Sequence, residues 1–105
     1  MKRFILTACL VAFAFVLPAQ AQWSMTQRGK FLSDCIPACE GNPNVPGPQK
    51  QQCGIFCNCL ANEGEKLFSS ADFDEMDADS RANRDNPKTQ RFHSIVPACN
   101  KQAFQ

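Results

Sequence analysis

The residues best suited to chemistry in this chain are its cysteines, of which there are seven in 105 residues. Cys9 lies in an apolar N-terminal stretch. The other six are spread over the remainder of the chain: Cys35, Cys39, Cys53, Cys57, Cys59 and Cys99. Thiols close as disulfides, bind soft metal ions or exchange electrons as a dithiol. The compartment and the spacing of the cysteines decide among these uses.

Residues 1–21 have the pattern of a secretory signal peptide, in which a basic start precedes an apolar run and a small-x-small end. The apolar run extends from Phe4 to Leu17, and we expect cleavage between Ala21 and Gln22. Cys9 lies inside the run rather than after it, so lipid attachment through this cysteine is not expected. The mature chain is therefore predicted to be exported, to the periplasm or outside the cell.

The composition excludes several classes of function. Eleven basic and ten acidic side chains give a formal net charge of +1, so no bulk attraction to nucleic acid or to an anionic membrane is expected. The mature chain, residues 22–105, contains no segment with the roughly 20 apolar residues that a membrane helix needs. We expect one small domain with a thin core, which covalent bridges must stabilise.

The spacing of the cysteines predicts three disulfides, because an even number in an oxidising compartment favours bridges. Two pairs are separated by four residues, and residues four apart share one side of a helix. Two such helices joined by a short turn run antiparallel, so the outer cysteine of each pair faces the outer cysteine of the other. The predicted bridges are Cys35–Cys57 and Cys39–Cys53, with Cys59–Cys99 left by elimination.

The elements that must position these cysteines form an all-α fold: a disulfide-stapled helical hairpin, a third helix and a C-terminal helical turn. We expect Pro37 to kink the first helix or to restart it with Asp34 as N-cap. Gly64 is placed as a left-handed C-cap of the second helix. The expected ranges are about 24–63 for the hairpin, about 70–83 for the third helix, 80–91 for a polar connection that is mobile or extended, and 92–105 for the C-terminal turn.

The two CxxxC motifs resemble those of the twin CX3C helical hairpins, which include the plant α-hairpinins and the small Tim chaperones of the mitochondrial intermembrane space. The resemblance covers only Cys35 to Cys57, and it implies a hairpin closed by the four cysteines. It implies no single activity, because members inhibit proteases, act in antimicrobial defence or hold hydrophobic client proteins. Pro37 inside the first motif, and Cys59 and Cys99 outside the pair, depart from the pattern.

Metal binding and redox exchange are the rival uses of the thiols. A CxxxC pair chelates a soft ion such as Cu(I), and Cys57-x-Cys59 adds a third close sulfur. Further ligands within the chain would be Met25, Met76 and His93. The CxxC motifs of structural zinc sites and of thioredoxin-like enzymes do not occur in the sequence. We therefore expect structural bridges, with no metal or cofactor.

Other candidate groups give weaker signals. Acidic residues concentrate between Glu63 and Asp79 without the spacing of a calcium loop, and we interpret them as a solvated helix face in which Asp77 meets Arg81 at i,i+4. His93 is the single histidine, and the adjacent Ser94 is not at a recognised catalytic spacing. We assign no catalytic residue and do not expect an enzyme.

The function predicted from the sequence is that of an exported, non-enzymatic protein-interaction module. Its recognition surface is expected on the hairpin, between about Phe31 and Leu60, with an unidentified protein as partner. The alternative is a periplasmic copper or soft-metal carrier that uses reduced cysteines.

Overall fold

Five α-helices and one 3₁₀ helix make up the part of the protein described by a computed structural model, residues 22–105. No strand occurs in those residues, and the predicted all-α fold class is confirmed. The elements are α1 (Met25–Glu40), the 3₁₀ helix (Gly47–Gln52), α2 (Cys53–Leu67), α3 (Ser70–Arg81), α4 (Pro87–His93) and α5 (Val96–Phe104). The predicted signal peptide, its cleavage between Ala21 and Gln22, and Cys9 concern a segment outside the described residues.

Helices α1 and α2 form the predicted hairpin. A capping box starts α1: the Ser24 hydroxyl accepts from the backbone N–H of Gln27, and the Gln27 side chain accepts from the backbone N–H of Ser24. Pro37 lies inside α1, and the helix continues through it to Glu40 without restarting at Asp34. A proline in the last turn removes only one late backbone hydrogen bond, so the helix can extend past it to Glu40.

Two nested disulfides close the hairpin, as the CxxxC spacing predicts. The bridges are Cys35–Cys57 and Cys39–Cys53, with Cα–Cα distances of 6.0 and 5.8 Å. Cys53 and Cys57 are fully buried, so the bridges form part of the small core. A third bridge joins Cys59 to Cys99 and ties α5 to α2, with Cα atoms 5.6 Å apart.

Helices α3 and α4, residues 70–93, form a return arm that folds back over the hairpin. Ser69 and Asp72 make the capping box of α3. The expectation of an extended connection over 80–91 is corrected, because α4 begins there at Pro87. Asn86 caps α4: its side-chain oxygen accepts from the backbone N–H of Lys88 at 2.9 Å. The sequence did not predict this helix because the segment is polar and lacks the hydrophobic periodicity that marks a helix.

Candidate functional site

An apolar groove of about 440 Å³ lies between the hairpin and the return arm. Its lining extends along α1 from Lys30 to Cys35 and along α3 from Phe73 to Ser80. Side chains from α2, α4 and α5 complete the walls. The main apolar residues of the lining are Trp23, Phe31, Leu60, Phe73, Met76 and Phe92. We call this feature the strapped groove, for the polar links described below.

Aromatic rings form much of the groove wall. Trp23 packs edge-on against Phe73, with ring centroids 4.7 Å apart, and lies 5.7 Å from Phe31. Phe31 in turn packs edge-on against Phe92 of the return arm at 5.7 Å. The indole N–H of Trp23 donates to the backbone carbonyl of Phe68 at 3.1 Å, so the buried ring has its polar atom satisfied.

Gly64 allows these rings to approach α2. A Cβ atom at this position would lie 2.8 Å from Cη2 of Trp23 and 2.9 Å from Cε1 of Phe92. The sequence-based placement of Gly64 as a left-handed C-cap is wrong, because α2 continues to Leu67 and no described glycine has a positive φ. The glycine serves close packing inside the helix rather than helix termination.

Three polar links, which we call the straps, join α1 to α3 along the rim of the groove. The Gln27 side-chain amide donates to Asp74 at 2.9 Å and to the backbone carbonyl of Ser70 at 3.0 Å. The other two straps are Lys30 to Asp77 at 2.7 Å and Arg81 to Asp34 at 3.0 Å.

The side chains that meet in each strap come from residues 47 positions apart in the sequence. A constant separation means that both helices advance in the same direction, so α1 and α3 are parallel. Lys30, Asp34 and Asp77 also line the cavity, so the straps form its edge between these two helices.

The ion pairs fix the charge state of the rim. Burial opposes the ionisation of Asp77, but hydrogen bonds from Lys30 and Arg81 outweigh it and hold the pKa of this carboxyl below its ordinary value. The same contact with Asp77 raises the pKa of Arg81. The predicted Asp77–Arg81 pair is confirmed at 3.1 Å. The three charged side chains that line the groove are therefore all in ion pairs, Lys30 with Asp77 and Asp34 with Arg81.

The remaining acids of the 63–79 segment also have partners, so the interpretation as a purely solvated face is incomplete. Lys88 of α4 bonds Asp72 and Glu75, and these contacts raise the Lys88 pKa. The amide of Asn86 donates to Glu75 and to Asp79, both at 2.9 Å. The acids of α3 thus hold α4 beside α3 and shape the return arm.

Hydrogen-bonding groups without a fixed charge also reach the groove. Ser80 of α3 and Thr89 and His93 of α4 contribute to its lining. The Ser94 hydroxyl donates to the backbone carbonyl of Arg91, so it is not directed at the neighbouring imidazole.

The predicted metal ligands are not brought together with a free thiol. All six cysteines among residues 22–105 are in disulfides. Met76 and His93 line the groove, whereas Met25 is 92 % exposed elsewhere. In the part of the chain that the structure describes, no group of three or more His, Cys, Asp or Glu residues is placed to hold a metal ion.

Comparison with known protein families, with curated proteins and with solved structures finds no match to this chain. The likeness to the twin CX3C proteins is limited to the helical hairpin and its two bridges between Cys35 and Cys57. Within residues 22–105, no helix combines the length and the apolar character needed to cross a bilayer.

Sequence reasoning missed most of the groove. The predicted recognition surface between Phe31 and Leu60 contributes its inner side, but Trp23, Phe73 and Phe92 were not recognised as parts of one site. The sequence did contain one signal for the groove. Lys30 and Asp34 on α1 lie 47 residues before Asp77 and Arg81 on α3, so each charge on α1 has an opposite charge at the same separation.

Proposed function

We propose that the chain is an exported, non-enzymatic binding module. Three disulfides support a location outside the reducing cytoplasm, because such bridges persist in oxidising compartments. The sequence of residues 1–21, with the pattern of a secretory leader, supports the same location.

The observation that carries the proposal is a preformed apolar groove on a covalently locked hairpin. A volume of about 440 Å³ falls within the range of ligand pockets, which are mostly apolar with a few polar groups that orient the ligand. Cys35, on the groove wall, is bridged to Cys57, so the disulfide frame holds the wall in place before any ligand arrives.

Binding fits the site better than catalysis. A hydrolytic site needs a nucleophile within hydrogen-bond reach of a base, and the candidate pair does not meet this requirement because Ser94 bonds the carbonyl of Arg91. The carboxylates of Asp34 and Asp77 at the groove edge are engaged by Arg81 and Lys30, and the lowered pKa of Asp77 makes it a poor proton donor. No observation favours the copper-carrier alternative, since its thiolates are replaced by disulfides.

A protein partner remains the prediction from the sequence, with the hairpin between about Phe31 and Leu60 as its platform. Ile55 is 52 % exposed there on α2. The test is cross-linking of the oxidised mature chain to envelope and culture-fluid proteins of the exporting organism. The test variant is Ile55→Glu, and the reduced, alkylated chain is the unfolded control.

We expect an adduct that requires the oxidised chain and is lost in Ile55→Glu. A chain that stays in the cytosol with free thiols would contradict the proposal of an exported module. An adduct that forms equally well with the alkylated chain would contradict a role for the folded hairpin.

A further inference from the structure

The strapped groove restricts the width of what it can hold. The straps join α1 to α3 directly, with donor–acceptor distances of 2.7 Å for Lys30–Asp77 and 3.0 Å for Arg81–Asp34. An α-helix with its side chains is about 10–12 Å across, so a helical peptide enters from this side only if the straps break. A single hydrocarbon chain is much thinner than a helix, so its entry does not require the straps to break.

The groove wall also favours a ligand whose body makes no hydrogen bonds. The backbone groups of α1 and α3 that border the groove are used within their own helices, and the side chains facing it are mostly aromatic or aliphatic. An extended peptide would bury backbone N–H and C=O groups here without partners, which is costly. An aliphatic chain carries no such groups.

The rim determines the head group. Every charged side chain that lines the groove is in an ion pair, Lys30 with Asp77 and Asp34 with Arg81, so none is left unpaired to attract a carboxylate or an ammonium. Ser80, Thr89 and His93 instead line the groove with two hydroxyls and an imidazole, which can form hydrogen bonds.

We propose that the strapped groove binds a single-chain aliphatic amphiphile with an uncharged, hydrogen-bonding head, such as a medium-chain alcohol or the hydroxyl end of a neutral lipid. The inference rests on the proposed binding function and names the ligand class of that site. Its volume, about 440 Å³, corresponds to about fifteen water-sized units of about 30 Å³ each, enough for the eleven heavy atoms of 1-decanol.

Trp23 fluorescence can report ligand binding, because Trp23 lies on the groove wall and is the single tryptophan of the chain. The experiment titrates the oxidised mature protein with alcohols from 1-hexanol to 1-decanol, followed by Trp23 fluorescence and by calorimetry. The affinity is expected to rise about fourfold for each added methylene, as burial of a methylene group predicts. An affinity that does not depend on chain length overturns the proposal.

The head group is tested at constant chain length with decanoate and decyltrimethylammonium. We expect 1-decanol to bind at least about tenfold more tightly than either ion, because an ion would lose hydration while the charges that line the groove are already paired within the protein. Equal or tighter binding of either ion contradicts an uncharged head. A monoacylglycerol that competes with 1-decanol would identify a neutral lipid as a further source of the same chemistry.

A matched pair of variants locates the site. Met76→Glu places a carboxylate in the groove and is expected to weaken 1-decanol binding at least about tenfold. Met25→Glu makes the same change at a methionine that is 92 % exposed and outside the groove, and it should bind as the wild type does. Circular dichroism verifies that both variants keep their helices.

A second variant keeps the test decisive if Met76→Glu unfolds the return arm. Thr89→Val preserves side-chain shape and removes one hydroxyl, so it should weaken 1-decanol binding about twofold to tenfold, the worth of one hydrogen bond. Unchanged affinity in a folded Met76→Glu overturns the site, and unchanged affinity in Thr89→Val overturns it if Met76→Glu does not fold.

Failure of this inference is distinguishable from failure of the binding module. If no alcohol binds while the oxidised chain still forms an Ile55-dependent cross-link, the ligand class is wrong and the module stands. If a synthetic amphipathic helix binds in a Met76→Glu-sensitive manner and the alcohols do not, the groove holds a protein segment instead.

Discussion

Substitution of Gly64 by alanine tests the packing that shapes the groove. The added methyl carbon would lie 2.8 Å from the Trp23 ring and 2.9 Å from the Phe92 ring, whereas optimal carbon–carbon contacts lie near 3.5–4.0 Å. Both rings must move, and overpacking of this kind costs about 1–3 kcal/mol. Alanine also gains about 1 kcal/mol over glycine within a helix. The net effect on the free energy of unfolding is therefore between no change and a loss of about 2 kcal/mol.

Gly29→Ala is the matched control, because Gly29 lies inside α1 and a Cβ atom added there would meet no other atom within 4 Å. It should gain the full helix preference of about 1 kcal/mol. The effect of alanine on the unfolded chain is shared by both variants, so the difference between them isolates the steric cost, about 1–3 kcal/mol.

Guanidinium unfolding of the oxidised proteins, followed by circular dichroism and Trp23 fluorescence, measures both variants. Native Trp23 emission should change in Gly64→Ala and stay constant in Gly29→Ala. Equal stabilisation of the two variants, with unchanged Trp23 emission, would refute the assignment of Gly64 to ring packing.

Three further predictions concern the Cys59–Cys99 bridge, the straps and the removal of residues 1–21. Replacing Cys59 and Cys99 by serine removes a bridge that spans 40 residues, so the free energy of unfolding should fall by about 4 kcal/mol while the hairpin keeps its helicity. Loss of the helical circular dichroism of the hairpin would contradict a hairpin that is held by its own two bridges. Because the folded pKa of Asp77 lies below its ordinary value of 3.8, its ionised form stabilises the fold above that pH, and this contribution is lost as the pH falls through the folded value. Asp77→Asn should therefore show a weaker loss of stability in acid titrations, and an unchanged pH profile would oppose a role for the strap. The intact mass of the exported protein should correspond to a chain that begins at Gln22 and has no free thiol. A mass that includes residues 1–21 would exclude cleavage.

The hairpin was predictable because two CxxxC spacings carry both the helical period and the bridging partner. The groove was not, since Trp23, Phe73 and Phe92 lie far apart in the sequence and meet only through the return arm. Gly64 was misread because a glycine near an expected helix end has two physical explanations, termination and close packing, and only the positions of the rings decide between them. Helix α4 was missed because polar caps rather than an apolar face define it.

The order of the bridges also determines how the chain responds to a broken backbone. Cys35–Cys57 connects the two sides of any break in the backbone between residues 35 and 57. Cys59–Cys99 does the same for any break between residues 59 and 99. Between Cys35 and Cys99 only the two bonds flanking Asn58 are unspanned, and both lie within α2 rather than in an exposed loop where proteases cut most readily. A single protease cut in the loop after Glu40, or in the turn before Pro87, therefore leaves one covalently connected molecule.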